Sequence, residues 1–206
     1  MFVSKEMIKN IKNLPTIGNE GNQGKCYTDG TYVYKFYRTS EIDFLAGLGQ
    51  KSEYIAFPIE EFRDENNVLV GYKSNIMPGD QFYKGMEPDT RLEDILKAYY
   101  LIKEEVKNFE QFQMIDLCYI NVLFDKKRFY IIDTDRWELN YNCIRNITNL
   151  NFSINEGIIN SLSDQFHRVL FDMKKYPVDG TIEIMEKMYV KKYGEIPTTI
   201  GEFRRK

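Results

Sequence analysis

In Asp116-Leu117-Cys118-Tyr119-Ile120-Asn121 an aspartate and an asparagine stand five positions apart, and twelve residues later Asp133 ends an apolar run over residues 129–132. These are residue types that phosphoryl transfer needs: a carboxylate near the attacking hydroxyl and oxygen ligands for a divalent metal, to be joined by a cation on the phosphates and backbone amides around them. The spacing lets Asp116 face an acceptor hydroxyl while the side-chain carbonyl of Asn121 binds metal. A strand ending in Asp133 delivers a carboxylate to the same metal from the other side. Other chemistries are poorly served. The one histidine, His167, removes most metal-ligand sets and weakens any Ser-His-Asp or Cys-His scheme. Cys26, Cys118 and Cys143 are odd in number with no C-x-x-C spacing, which points to neither a disulfide framework nor a zinc site and suits a reducing cytoplasm.

The elements that must position these residues follow from the apolar pattern. Residues 4–13 predict a short helix with Ser4 as N-cap, ended by Pro15, serving as a lid or brace. Over residues 17–37 the pattern gives strand, glycine-rich turn, strand, an Asp29-Gly30 turn, and strand again. Ser40 caps a short expected helix holding Ile42, Phe44, Leu45 and Leu48, closed by Gly49. Strands at 54–62 and 68–75 complete five, and Pro78-Gly79-Asp80 then breaks the chain. Beyond it Leu92, Ile95, Leu96, Tyr99, Ile102, Val106 and Phe109 recur at helical steps, an amphipathic helix of about five turns. Residues 120–124 and 129–132 form an expected hairpin around Asp125-Lys126-Lys127-Arg128. Residues 138–158 are rich in Asn and assign to no element, and helices are expected over 163–175 and 181–193.

Size and composition set the frame. A chain of 206 residues, 43% hydrophobic and 29% charged with 15 Tyr and 14 Phe, buries a real, aromatic-rich core without disulfides or structural metal. A net charge of -3 with interspersed signs gives no electrostatic reason to expect nucleic acid or an anionic membrane as partner. The first fifteen residues form neither a signal-peptide core nor a membrane span, so a cytoplasmic location is expected. The basic tail over residues 202–206 is expected to be a frayed, solvated terminus.

The trio Asp116, Asn121 and Asp133 resembles the catalytic loop and metal-binding segment of the protein-kinase-like superfamily, in the compact form of bacterial and phage Ser/Thr kinase-like proteins. Other segments fall into the same order. Gly21 and Gly24 resemble the last two glycines of the phosphate-covering loop, with Asn19 where the first is usual. Lys35, in Val33-Tyr34-Lys35, resembles the strand lysine that holds the phosphates, and Glu41, ahead of Phe44 and Leu45, resembles its ion-pair partner. Asn75 and Met77, in Asn75-Ile76-Met77-Pro78-Gly79, resemble the hinge that hydrogen-bonds adenine. Asp164 resembles the buried aspartate that braces the catalytic loop, or else is an ordinary helix N-terminal carboxylate.

The resemblance implies an α+β, bilobal kinase-like domain. Residues 1–78 would be a small antiparallel five-stranded lobe with one short helix, and residues 79–206 a reduced, mostly helical lobe. It also implies ATP and Mg2+, with Asp116 acting on the hydroxyl, Asn121 and Asp133 on the metal, and protein Ser/Thr ahead of a small alcohol as acceptor. The chain departs from the pattern as well. Met114 and Ile115 stand where His and Arg are usual, and Asp133-Thr134-Asp135 where D-F-G is usual, so Asp135 either adds a metal-facing carboxylate or caps a turn. A pseudokinase that binds nucleotide without turnover, a small-molecule kinase, and nucleotide transfer to protein are the alternatives.

Overall fold

The computed structural model describes residues 1–18, 24–39, 42–81, 86–140 and 143–204. Ser4 fixes the first element: its hydroxyl oxygen accepts from the Met7 amide at 3.1 Å, satisfying a first-turn donor, and α1 runs Lys5–Lys12. Met7, Ile8 and Ile11 then pack with Tyr27, Phe36 and Phe62 on one face of an antiparallel sheet. That sheet holds β1 (Gly24–Thr28), β2 (Tyr32–Tyr37), β3 (Pro58–Arg63) and β4 (Leu69–Asn75) in the order β1-β2-β4-β3. Because strand side chains alternate in direction, burying Phe36 against α1 turns Val33, Lys35 and Tyr37 to the opposite face. The turn between β1 and β2 is closed by Asp29, whose Oδ1 accepts from the Thr31 and Tyr32 amides while Gly30 takes a φ of 89°.

Among the described residues the sheet has four strands where five were expected. The described residues before the glycine-rich turn make an isolated bridge, Thr16 to Tyr27. Pro15 has no amide to donate, and Gly18 turns away at a φ of 72°, so among the described residues this pairing spans 15–17. The short helix expected to contain residues 42–48 also does not form: 46–49 is a turn, with Gly49 at a φ of 78°. Gly47 accounts for the tight packing there, since a Cβ would lie 2.6 Å from the Phe57 ring.

Beyond β4, the two-residue β5 (Asp80–Gln81) pairs with the hairpin of β7 (Val122–Phe124) and β8 (Phe129–Ile131). Asp125 accepts from the Lys127 and Arg128 amides and closes that hairpin as its sequence predicts. The large core gathers around α2 (Leu92–Asn108), whose Leu92, Ile95, Tyr99, Ile102 and Val106 are all buried. A small pair, β6 (Phe112–Gln113) with β9 (Glu138–Leu139), follows it. The sequence gives no element over 138–158, yet most of it is α3 (Cys143–Asn160). The chain ends in α4 (Asp164–Leu170), α5 (Val178–Tyr193) and a 3₁₀ turn at Ile200–Arg204. Up to Arg204 the tail is docked rather than frayed. Phe203 is fully buried, and the Arg204 guanidinium donates to the carbonyls of Ser161, at 2.8 Å, and Met86. The architecture is α+β, with antiparallel sheets and five α-helices among the described residues, none of them long and apolar enough to cross a membrane.

Candidate functional site

The face of the four-stranded sheet opposite α1 looks across a cleft of about 530 Å³ at the β7–β8 hairpin. Register explains its sheet wall: Cys26, Lys35 and Tyr72 are direct cross-strand partners on β1, β2 and β4, so their side chains line up on one face. The opposite wall is fixed by residues 54–56, which run parallel to β8. Ala56 donates to Ile131 O at 2.9 Å, and Ile131 donates to Tyr54 O at 2.8 Å. Thr134 then ties the chain after β8 back through its hydroxyl, which donates to Ala56 O at 3.0 Å.

These ties bring the carboxylates under the sheet. The Lys35 ammonium contacts the Asp133 carboxylate and lies 2.9 Å from Asp135 Oδ2. The two acids differ in setting: the side chain of Asp133 is 36% exposed at the cleft, and that of Asp135 is 1% exposed. Burial alone draws the Lys35 ammonium down, but attraction to Asp133 and Asp135 outweighs it and leaves the group above its ordinary range. Asp135 is shifted up, first by burial and then, against the pull of Lys35, by the charge of Asp133. The Tyr37 phenol beside Asp135 is held far above its usual range by burial, then by that carboxylate. Cys26 is raised by the same enclosure, to about 11.

Asp116 sits on a loop whose shape is set from below by α3. Asn146, fully buried, spans the loop's approach: its Oδ1 accepts from Met114 N at 2.9 Å, and its Nδ2 donates to Phe112 O at 2.7 Å. Two turns along, the buried Ser153 hydroxyl donates to Leu117 O at 3.0 Å. The main chain is therefore clamped on both sides of Asp116. Met114 is core and fully buried. Asp164 is exposed in the first turn of α4, the setting of an ordinary helix N-terminal carboxylate and not of a buried brace, and the loop is braced instead by Asn146 and Ser153. Nothing local in the sequence marks those two; only the clash between an Asn-rich run and a buried helix hints at tertiary hydrogen bonds.

Four described non-glycine residues have positive φ. Asn67 and Lys126 occupy hairpin turns, while Asp116, at 62°, and Asp133, at 61°, face the cleft. Left-handed backbone at non-glycine residues is a strained state that concentrates at functional sites. Between them, Asn121 Nδ2 donates to Asp116 O at 3.0 Å. With its amide nitrogen committed, Asn121 presents its carbonyl oxygen as the side-chain acceptor. Arg136 Nε stands 3.8 Å from Asp116 Oδ2.

Gly24, Lys35, Asn75, Met77, Asp116, Asn121 and Asp133, spread over more than a hundred residues of sequence, all line this one cleft. Gly21 and Glu41, with Asn19, lie outside the described residues. No protein-family model matches the chain, and no curated protein matches it. The cleft must therefore be judged on its own chemistry. Among the described residues no three His, Cys, Asp or Glu side chains converge as a metal cage. Asn121 and Asp133 do offer two oxygen donors from two elements, a set that suits magnesium, which takes one or two protein ligands and completes its shell with water and phosphate oxygens. Ile17, Val33, Ala56, Ile76, Leu123 and Ile132 give the rest of the cleft apolar walls that fit a flat aromatic base.

Proposed function

We propose that this chain is an ATP- and magnesium-dependent phosphotransferase, a compact bilobal protein-kinase-like domain that moves the γ-phosphate to a hydroxyl, with protein Ser/Thr as the favoured acceptor. In this reading residues 1–78 form the smaller lobe and residues 79–206 the larger. The observation that carries the proposal is the convergence of Lys35, Asp116, Asn121 and Asp133 on one apolar-walled cleft, with Asn121 locked to the Asp116 main chain at 3.0 Å. Adenine would lie along the 75–77 segment, and Gly24 would border the phosphates.

Each residue has a task. Lys35 neutralises phosphate oxygens. Asp116 orients the acceptor hydroxyl and takes its proton as the new oxygen–phosphorus bond forms and the β,γ-bridging bond breaks. Asn121 and Asp133 hold magnesium, which when bound screens the charge on the phosphates. The test is incubation with γ-labelled and α-labelled ATP, magnesium and a mixed set of protein and small-alcohol acceptors, beside Asp116→Ala and Asp133→Ala. Gamma transfer lost in both variants is the expected result. Transfer of the α-label would make the chain a nucleotidyltransferase. Bound nucleotide without turnover would favour the pseudokinase, a reading prompted by Met114 and Ile115 in place of His and Arg and by the altered segment after Asp133.

A further inference from the structure

We infer that Asp135 is the positioning residue for Lys35: it keeps the ammonium aimed into the cleft while Asp133 is drawn off to metal. The inference rests on the nucleotide reading of the cleft and adds to it the identity of the lysine's permanent partner. Three observations support it. The two carboxylates on Lys35 are unequal, since Asp133 opens to the cleft while Asp135 is sealed beneath the sheet. A ligand arriving from solvent therefore reaches Asp133 first and leaves the Lys35–Asp135 contact of 2.9 Å in place. Asp135 is also fixed independently of Lys35: Thr134 is buried and donates to Ala56 O, and Trp137 N donates to Thr134 O at 3.3 Å, so the backbone on either side cannot swing the carboxylate out. Finally, among the described residues Asp133 and Asp135 are the carboxylates that the Lys35 ammonium meets.

Charge counting gives the same answer. One ammonium faces two carboxylates. When a divalent cation takes Asp133, Lys35 loses one partner, and as a nearly buried cation it needs the other to remain charged without water. Asp135 supplies that charge at a point the phosphates do not reach. The lysine is thus shared in sequence: Asp133 and Asp135 in the free cleft, phosphate and Asp135 in the loaded one. This differs from a role for Asp135 as a second metal ligand, which would require it to leave Lys35 and enter the cleft.

The full chain tests this through a double-mutant cycle on nucleotide affinity in magnesium, with adenosine as the phosphate-free control. Asp135→Asn should weaken ATP binding about tenfold, the scale of a charge-assisted contact, and leave adenosine binding and the magnesium concentration for half-maximal ATP binding unchanged. Lys35→Met should weaken ATP at least as much, and adding Asp135→Asn to Lys35→Met should cost nothing further. Multiplying losses in the double variant, or a raised magnesium requirement in Asp135→Asn, would overturn the assignment, as would wild-type ATP affinity in Asp135→Asn while the nucleotide reading stands. A wild-type chain that binds neither ATP nor adenosine removes the nucleotide reading itself and this inference with it. If Asp135→Asn does not fold, the double variant decides: recovered folding on removing both charges supports the pairing, and continued unfolding counts against it.

Discussion

Replacing Asn146 with alanine should destabilise the protein severely, although the residue touches no part of the cleft. Its side chain is fully buried and satisfies two main-chain groups, Met114 N–H and Phe112 C=O. Alanine leaves both without partners in a site sealed from water. Each buried unsatisfied group costs about 1–3 kcal/mol, and the lost side-chain volume adds a small cavity, so a total of about 3–5 kcal/mol is expected. That is a large share of the roughly 5–15 kcal/mol by which domains are stable. With a urea m-value of about 2 kcal/mol/M, the denaturation midpoint should fall by about 2 M with little change in slope. Thr148→Ala is the control. That threonine is exposed on the same helix and its hydroxyl donates to the Ile144 carbonyl one turn back, so its loss should stay within about 0.5 kcal/mol of zero. Circular dichroism through the urea transition reads both. A midpoint shift under about 0.5 M for Asn146→Ala would show that the loop before Asp116 does not depend on this clamp.

Four further outcomes follow from the same geometry. Asp116→Gly should be about 1 kcal/mol more stable than Asp116→Ala in thermal or urea melts, because the backbone there sits at a φ of 62°. Equal stabilities would mean the left-handed turn is not held in solution. Phe203→Ala should cost about 3–5 kcal/mol, since its ring is fully buried against Phe166 and Tyr189; a change below 1 kcal/mol would show the carboxy-terminal turn to be undocked. The Cys26 thiol, raised to about 11 first by burial, should alkylate slowly at pH 8, where only about one molecule in a thousand carries the thiolate. Peptide-resolved mass spectrometry should show its rate climbing about tenfold per pH unit, and a plateau below pH 9 would contradict the enclosure. Asn121→Ala should raise the magnesium needed for half-maximal transfer without altering adenosine binding, and an unchanged magnesium titration would remove Asn121 from the metal.

Local signals read well where local chemistry decides the structure. Ser4 and Asp125 satisfy nearby amides, and α2 has an apolar stripe long enough to be unmistakable. Expectations failed where tertiary contact outweighs pattern. In 42–49 the apolar residues suggest a helix, but Gly47 must let Phe57 pass and Gly49 turns the chain. Over 138–158 the Asn content leaves the pattern without an element, yet in α3 Asn146, Asn151 and Asn155 are each bonded to groups outside the helix: the Phe112 and Met114 main chain, the Tyr99 hydroxyl, and the carbonyls of residues 173–176. Of the candidate site, Asp116, Asn121 and Asp133 were visible as a spacing. The depth of Asp135 was not, because burial of one carboxylate and exposure of its neighbour but one depends on the sheet laid over them.

The polar interior of α3 has a consequence for how this chain can change over generations. An apolar core position can pass through Leu, Ile, Val or Met with small losses at each step. Asn146, Ser153 and Asn155 are matched instead to main-chain atoms, which every residue type shares and no substitution alters. Their partners cannot adjust to a new side chain, so a single replacement meets its full penalty at once, with no compensating second change within reach. Sequences descended from a common ancestor should therefore drift freely along the isoleucines and the one leucine of this helix while keeping its amides and hydroxyls in register. The least hydrophobic helix positions in the core would then be its slowest-changing record of descent.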